Sequence, residues 1–252
     1  GQIALSDVLG NEQYYILLAN DADRYGNFLD GFQVGVTYLN QSQRLNYGYG
    51  AFRLTGTYNA DLDALVREPR IGVSLLASYP FSKFLRLDGT LVARHTRDHR
   101  LRSGAERDLD LVSHYLSLVH DNSRWSPYGP ASGSRWAAIA GYTRDLTSGE
   151  GSYGTAQFDA RRYQKVAPQV VSATRVNGQA SFGPDAPRFY LGGYRALRGF
   201  DRRTLSGTRT VLVQQEFRAP LLRGLVVAIP APWELPTLNV AAWADVAWAW
   251  DR

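Results

Sequence analysis

The chain has 252 residues, 44% of them hydrophobic and 20% charged, a balance that excludes a disordered polypeptide and fits a single β-barrel-sized unit. It contains no cysteine and no methionine, which excludes disulfides, a thiol nucleophile and thiolate metal sites; with no Met even at position 1, it is expected to be a processed or excised piece of a longer protein. The net charge of +5 is carried by 28 basic against 23 acidic residues, and the only lysines are Lys83 and Lys165, so the cations are arginines scattered along the chain without the basic patch or run of a nucleic-acid binder.

Two readings of that arginine content stay open: the codon bias of a GC-rich genome, or an arginine-studded polar face or lumen turned toward anionic groups. No apolar run reaches the ~18–20 residues of a membrane helix. The longest, residues 224–233, is interrupted by Pro230 and Pro232. A membrane β-barrel stays open, because its strands carry a much weaker hydropathy signal.

In chain order, period-two alternation marks strands at about 3–7, 13–20, 31–40, 44–58, 70–79, 83–94, 107–120, 134–146, 153–162, 168–182, 210–220 and 238–248. In the fifth, Ile71, Val73, Leu75, Ala77 and Tyr79 share one face and Gly72, Ser74, Leu76 and Ser78 the other. In the sixth, Leu85, Leu87, Gly89, Leu91 and Ala93 lie opposite Arg86, Asp88, Thr90 and Arg94. The ninth sets Ala156, Phe158 and Ala160 against Thr155, Gln157, Asp159 and Arg161. The eleventh sets Val211, Val213, Phe217 and Ala219 against Gln214, Glu216 and Arg218, and the twelfth sets Val240, Ala242, Ala244, Val246 and Trp248 against Asn239, Trp243 and Asp245.

These segments are longer than the ~5–6 residues of ordinary soluble strands and match the ~9–11 tilted residues of a membrane crossing. Some alternations run on into polar stretches such as residues 94–102, as strands projecting beyond a bilayer would. Short connections (40–44, 80–83, 166–168) contrast with longer ones rich in Gly, Ser, Asp and Arg (59–68, 97–107, 122–134, 147–151), the asymmetry of outer-membrane barrels. Aromatics near strand ends, among them Tyr79, Phe81, Phe84, Trp125, Trp136, Tyr153, Tyr163 and Trp250, suit a membrane–water girdle. The expected fold is all-β: an antiparallel transmembrane barrel of the outer-membrane type, an incomplete one of about 11–12 strands, in one domain spanning residues 1–252.

One stretch departs from alternation. Residues 189–200 read Phe-Tyr-Leu-Gly-Gly-Tyr-Arg-Ala-Leu-Arg-Gly-Phe, inside a connection over 183–208. A long loop this rich in aromatics and glycine is expected to pack against something.

Gly192 and Gly193 followed by Leu197, Arg198, Gly199 and Phe200 resemble the extracellular-loop motif of the BamA/TamA outer-membrane insertase superfamily, also called the bacterial surface antigen family. Residues 215–221, Gln-Glu-Phe-Arg-Ala-Pro-Leu, resemble the strand after that loop. Trp243 and Asp245 resemble the aromatic-x-Asp-x-Gly of the next strand, with Ala247 where the family often has Gly. The resemblance implies a loop folded into the barrel lumen and locked by Arg198 against Glu216 and Asp245, with Gly192, Gly193, Gly199 and Phe200 completing the motif. Both acids fall on the polar face by parity alone. It further implies assembly, insertion or translocation of client proteins at the bacterial outer membrane, with the bilayer and those clients as partners, a periplasmic domain or accessory proteins outside this chain, and no cofactor or nucleotide. The family barrel has sixteen strands, so closing strands are expected beyond Trp250.

Catalytic and metal chemistry is thinly represented. The histidines are His95, His99, His114 and His120. His95 and His99 would share a strand face about 13 Å apart, too far for one metal ion. His114 and His120 share parity with Asp108 and Asp110. There is no G-x-S-x-G elbow and no Walker pattern. A non-enzymatic role is expected. A passive porin-like channel, an outer-membrane lipid-acting enzyme and a soluble β-sandwich are the alternatives.

Overall fold

The structure, a computed structural model, describes residues 1–20, 31–61, 64–100, 106–126, 129–194, 196–222, 225–227, 233–235 and 238–251. The elements among the described residues are strands: β1 (Gln2–Ser6), β2 (Glu12–Asn20), β3 (Phe32–Asn40), β4 (Asn46–Asp61), β5 (Ala64–Pro80), β6 (Leu85–Arg100), β7 (Glu106–Asp121), β8 (Arg124–Ser126), β9 (Gly129–Asp145), β10 (Tyr153–Ala167), β11 (Val170–Phe182), β12 (Phe189–Leu191), β13 (Leu205–Gly207), β14 (Arg209–Leu222), β15 (Leu225–Val227), β16 (Trp233–Leu235) and β17 (Leu238–Trp250). Twelve of them follow one another in the sheet order β1-β2-β3-β4-β5-β6-β7-β9-β10-β11-β14-β17, with β8 paired to β9 and two separate ribbons, β12-β13 and β15-β16. This all-β sheet, with β1 and β17 at the ends of its order, agrees with the expected 11–12 strands.

The chain divides into two compact units, residues 1–117, 140–154 and 182–186 in one, and residues 118–139, 155–181 and 187–252 in the other. In the first, antiparallel registers align Tyr14, Tyr38, Tyr49, Leu75 and Leu91 across five strands, and Ile16, Val36, Ala51, Val73 and Ala93 in the next row. The exposed residues of these rows include Tyr14, Tyr49, Leu75, Leu91, Val36 and Val73, whereas Thr96, Ser113 and Thr143 are fully buried. The sheet is thus apolar where it is open and polar where it is closed. Leaving a Leu or Val side chain in water forgoes about 1.5–3 kcal/mol, so a face built this way belongs in an apolar medium.

The apolar face has a limited height. Along β5 it runs from Ile71 to Tyr79, nine residues or about 27 Å of strand, which at a tilt of about 40° spans about 21 Å, most of an apolar band of ~25 Å. At Ile71 the same-face neighbour is already His95. There the face turns ionic: His95 Nδ1 lies 2.9 Å from Asp110, and Arg97 Nε donates to Asp108 at 2.8 Å.

The structure revises three connections. Residues 59–68 are mostly paired strand, with pairing continued through Asn59↔Leu65 and, past a shift of register, Asp61↔Ala64. The 97–107 connection shrinks likewise, β6 ending at Arg100 and β7 starting at Glu106, while residues 101–105 lie outside the described ones. In these the backbone pairing of the strands runs on past the end of the apolar alternation. Residues 122–134 hold β8, which folds back on β9 through Trp125↔Pro130. By strand parity that hairpin belongs with the short turns at 41–45 and 81–84.

In the second unit β11, β14 and β17 are in continuous register, with the rows Ala173↔Glu216↔Trp243, Arg175↔Gln214↔Asp245 and Asn177↔Leu212↔Ala247. These rows make the polar face; Phe217, Val246 and Trp248 stand exposed on the opposite one. The connection from β11 to β14, expected to lack regular structure, carries the ribbon β12-β13, paired Phe189↔Gly207 to Leu191↔Leu205. Leu191 and Leu197 from this connection bury against Leu212, with Ala196, Leu205 and Ala247 packed around them. The methyl of Ala247, where the resembled pattern has Gly, therefore lies under the loop as part of its seat.

Candidate functional site: the loop arginine and its carboxylates

The loop reaches the polar face of β14 and β17 at Arg198. Its backbone N–H donates to Asp245 Oδ2 at 3.0 Å, its Nε donates to the same oxygen at 2.9 Å, and its Nη2 donates to Oδ1 at 2.7 Å. Its Nη1 donates to Glu216 Oε2. The guanidinium carbon also sits 4.5 Å from the ring centre of Trp243, within cation–π range. One planar cation thus bridges carboxylates on two neighbouring strands, a geometry that suits the forked donors of arginine and not the point charge of lysine.

Burial makes the contact consequential. The Asp245 side chain is 1% exposed and that of Arg198 19%. A carboxylate so enclosed is stable only if paired and hydrogen-bonded. Bonding to Asp245, and next to Glu216, raises the Arg198 guanidinium above its ordinary value, so it is charged at any accessible pH.

The turn that presents Arg198 depends on glycine at three positions, Gly193 among them with φ 83°. Gly192 has φ 137°, and a Cβ there would lie 2.0 Å from the Asp201 carbonyl oxygen. Gly199 has φ 85°, and a Cβ there would lie 4.0 Å from the Trp243 ring, so a side chain would meet backbone strain but no clash. Gly193 joins the turn through its N–H, which donates to the Phe200 carbonyl at 2.9 Å, and its own carbonyl accepts from Ala196 N.

Of the residues expected from sequence, the structure brings Arg198, Glu216 and Asp245 into direct contact and places Gly192, Gly193 and Gly199 in the supporting turn. Phe200 stands apart: its side chain is 55% exposed, and it takes part through its backbone carbonyl. Sequence reading left out several contributors. Gln214 donates from Nε2 to the Ala196 carbonyl at 2.7 Å and accepts from Arg175 Nη1 at 3.1 Å; only its parity with Glu216 could have pointed to it. Arg218 shares Glu216 with Arg198. Arg188 pairs with Asp251 at 2.9 Å, and Asp251 accepts the Thr208 N–H at 2.9 Å, fastening the root of the loop to the end of β17. Those two bonds, the Thr208 N–H first, hold the Asp251 carboxyl below its ordinary value.

The histidines disperse. His95 pairs with Asp110, His114 lies beside the Tyr142 ring, and His120 stacks on Trp136; the side chain of His99 lies outside the described ones. Among the described residues no three His, Asp or Glu side chains could share a metal ion.

Comparison of the coordinates with solved structures gives extensive matches. BamA from Haemophilus ducreyi, in a crystal structure lacking POTRA domains 1–3, superposes with a TM-score of 0.72 at 12% identity, covering 99% of this chain and 56% of that one. The fold is that of BamA. CdiB from Escherichia coli matches with a TM-score of 0.53 at 14% identity over 98% of this chain and 59% of that one. CdiB from Acinetobacter baumannii matches at 0.54 and 15%, over 98% and 45%. This chain therefore spans about half the length of the structures it matches. No protein-family model and no curated protein matches by sequence. The expected BamA/TamA-type barrel is thus shown at the level of fold, at identities where sequence comparison alone finds nothing.

Proposed function

We propose that residues 1–252 form a single domain, the β-barrel of a bacterial outer-membrane protein of the BamA/TamA kind, which inserts or translocates other polypeptides at that membrane and is not an enzyme. The observation that carries this reading is the contact of Arg198 with Asp245 and Glu216, made by a loop seated on the polar face of a BamA-like sheet. A passive porin has no need of a glycine-hinged loop pinned to two strands.

In this reading the apolar face lies in the bilayer. Arg198 locks the 183–208 connection inside the lumen, Gly192, Gly193 and Gly199 allow its tight turn, and Phe200 stays free for contact within the lumen. Edge strands offer unpaired N–H and C=O groups to an incoming client strand, so the work is templating by hydrogen bonds and needs no nucleotide. The partners are the outer-membrane bilayer, client outer-membrane or secreted proteins, and a periplasmic domain or accessory proteins outside this chain.

The test is reconstitution of the full-length protein in lipid vesicles with a urea-unfolded outer-membrane barrel as client. Folding of the client, read by heat-modifiable gel migration, should accelerate over empty vesicles and should slow again with Arg198→Ala. A steady ion conductance insensitive to Arg198→Ala, with no acceleration of client folding, would refute the proposal in favour of a channel. Hydrolysis of phospholipid by the purified protein would refute it in favour of an enzyme.

A further inference from the structure

The loop has a second hold on the polar wall, and its far end lies two strands away. Gln214 on β14 is 9% exposed and gives an N–H from Nε2 to the Ala196 carbonyl at 2.7 Å. Ala196 immediately precedes the buried Leu197 and Arg198, so this bond fixes the backbone just before the residue that meets the carboxylates. The other end of the same amide, Oε1, accepts from Arg175 Nη1 at 3.1 Å. Arg175, on β11, turns another edge toward β10, where its Nε and Nη2 donate to Asp159 Oδ2 at 2.8 and 2.6 Å. Arg161 steadies Asp159 in turn, donating from Nε to Oδ1 at 2.8 Å. The line Asp159–Arg175–Gln214–Ala196 thus crosses three strands and ends on the loop.

The line has a direction. A carboxamide carries an acceptor at one end and donors at the other, and arginine carries donors only. Arg175 therefore compels Oε1 of Gln214 to face it, which leaves Nε2 to face Ala196. The turned amide would set N–H against N–H at Arg175 and oxygen against oxygen at Ala196, and buried polar groups left unmatched are costly. The position of one guanidinium keeps the amide in its loop-binding orientation, and Asp159 keeps that guanidinium in position. The bonds of Asp159 itself run to Arg161, Arg175 and Asn177, all on β10 and β11, so its effect on the loop passes through Gln214.

We propose that Asp159 is a positioning residue for the loop: through Arg175 it orients the Gln214 amide, and the amide holds the Ala196 carbonyl. The rival account of Asp159 is an ion pair that staples β10 to β11 and does nothing more. A staple needs only the edge of Arg175 that carries Nε and Nη2, whereas Nη1 is spent on a buried neutral amide whose far end meets the loop. The inference rests on the loop lock proposed above and adds a residue that touches neither the loop nor the carboxylates of Arg198. Its test reads the loop alone. Failure to fold clients would leave it standing, and a loop indifferent to Asp159 would leave the proposed function standing.

The experiment is limited proteolysis of the full-length protein in detergent, with nicking near Gly193 as the readout and heat-modifiable migration to show which variants remain folded. Asp159→Asn should raise the nicking rate about fivefold to tenfold, as expected when one buried hydrogen bond to the loop is loosened. Gln214→Met, which removes the amide, should raise it at least as much. The decisive comparison is Asp159→Asn made in the Gln214→Met protein. With no amide left to orient, the added change should alter nicking by less than about twofold, whereas a staple acting on the wall alone would multiply the two effects. Arg175→Lys repeats the comparison with the charge kept, because one ammonium cannot serve Asp159 and Gln214 together; it should raise nicking several-fold on its own and add nothing to Gln214→Met. It decides the matter if Asp159→Asn gives no folded barrel. The proposal is overturned if either folded variant nicks like the wild type, or if its effect multiplies with that of Gln214→Met.

Discussion

Replacing Arg198 by alanine removes one side chain and strands another. The Asp245 side chain is 1% exposed and takes three donors from Arg198, two from the guanidinium and one from the backbone. The backbone bond and the contact with Gln214 survive the substitution, but a nearly enclosed carboxylate loses its countercharge, which costs about 3–5 kcal/mol. Glu216 suffers less, because Arg218 still holds it. Loss of the stacking on Trp243 adds about 0.5–1 kcal/mol. The loop is also held by Leu191 and Leu197 and by the Arg188–Asp251 pair, so opening should stay local to the turn around Arg198 while the sheet persists. At ~1.4 kcal/mol per factor of ten, the open-loop population should rise on the order of 100-fold or more. Limited proteolysis reads that population directly when reclosing is faster than cleavage. The nicking rate near Gly193 should rise accordingly, with thermal unfolding of the barrel little changed. Arg198→Lys should fall between, keeping the charge but not the fork. Removing Asp245 together with Arg198 should cost less than the sum of the single changes, since neither charge is then stranded. A nicking rate for Arg198→Ala within threefold of the wild type would refute the reasoning.

Gly192→Ala should open the loop by a different route, since the new Cβ would meet the Asp201 carbonyl at 2.0 Å on a backbone of φ 137°; faster nicking with Arg198 intact is the expected result, and unchanged nicking would show that the turn is not under constraint. On the apolar face, Leu75→Arg, in mid-belt, should lower stability in bilayers by about 2–4 kcal/mol, whereas Ile71→Arg, one row from the ionic rim, should cost about 0–1 kcal/mol; equal costs in a urea titration would contradict the assigned belt. The Asp251 carboxyl is held below its ordinary value by the Thr208 N–H and Arg188. A carboxyl depressed in the folded state contributes stability that is present above its unfolded pKa and lost as pH falls through the folded one. Hydrogen exchange at the Thr208 amide, relative to the intrinsic rate, should therefore accelerate on acidification below the ordinary carboxylate range, and Asp251→Asn should abolish that dependence.

Alternation made the twelve principal strands legible, because a sheet wet on one side and apolar on the other writes its period directly into residue order. The ends of those strands were not legible, since pairing such as Asp61↔Ala64 continues through residues whose order shows no apolar–polar alternation. The ribbon β12-β13 was invisible for another reason: three residues per strand are too few to show a period, and what defines it is the burial of Leu191 against Leu212. At the site, parity put Glu216 and Asp245 on one face, and the motif supplied Arg198. Nothing in residue order brings Arg188 to Asp251 across sixty-odd positions, and the exposure of Phe200 runs against the packing that its apolar ring suggested.

The arginine content admitted a genomic and a functional account, and the polar wall of the second unit discriminates between them there. Arg161 and Arg175 both meet Asp159, and Arg198 and Arg218 both meet Glu216. Arg175 uses its fork to span Asp159 and Gln214 on different strands, and Arg198 does the same for Asp245 and Glu216. A lysine at either place could satisfy one partner but lacks the planar donors to bridge two. Codon bias alone would scatter arginines without regard to strand parity. On this wall they sit where a rigid planar cation ties neighbouring strands and a loop to one another.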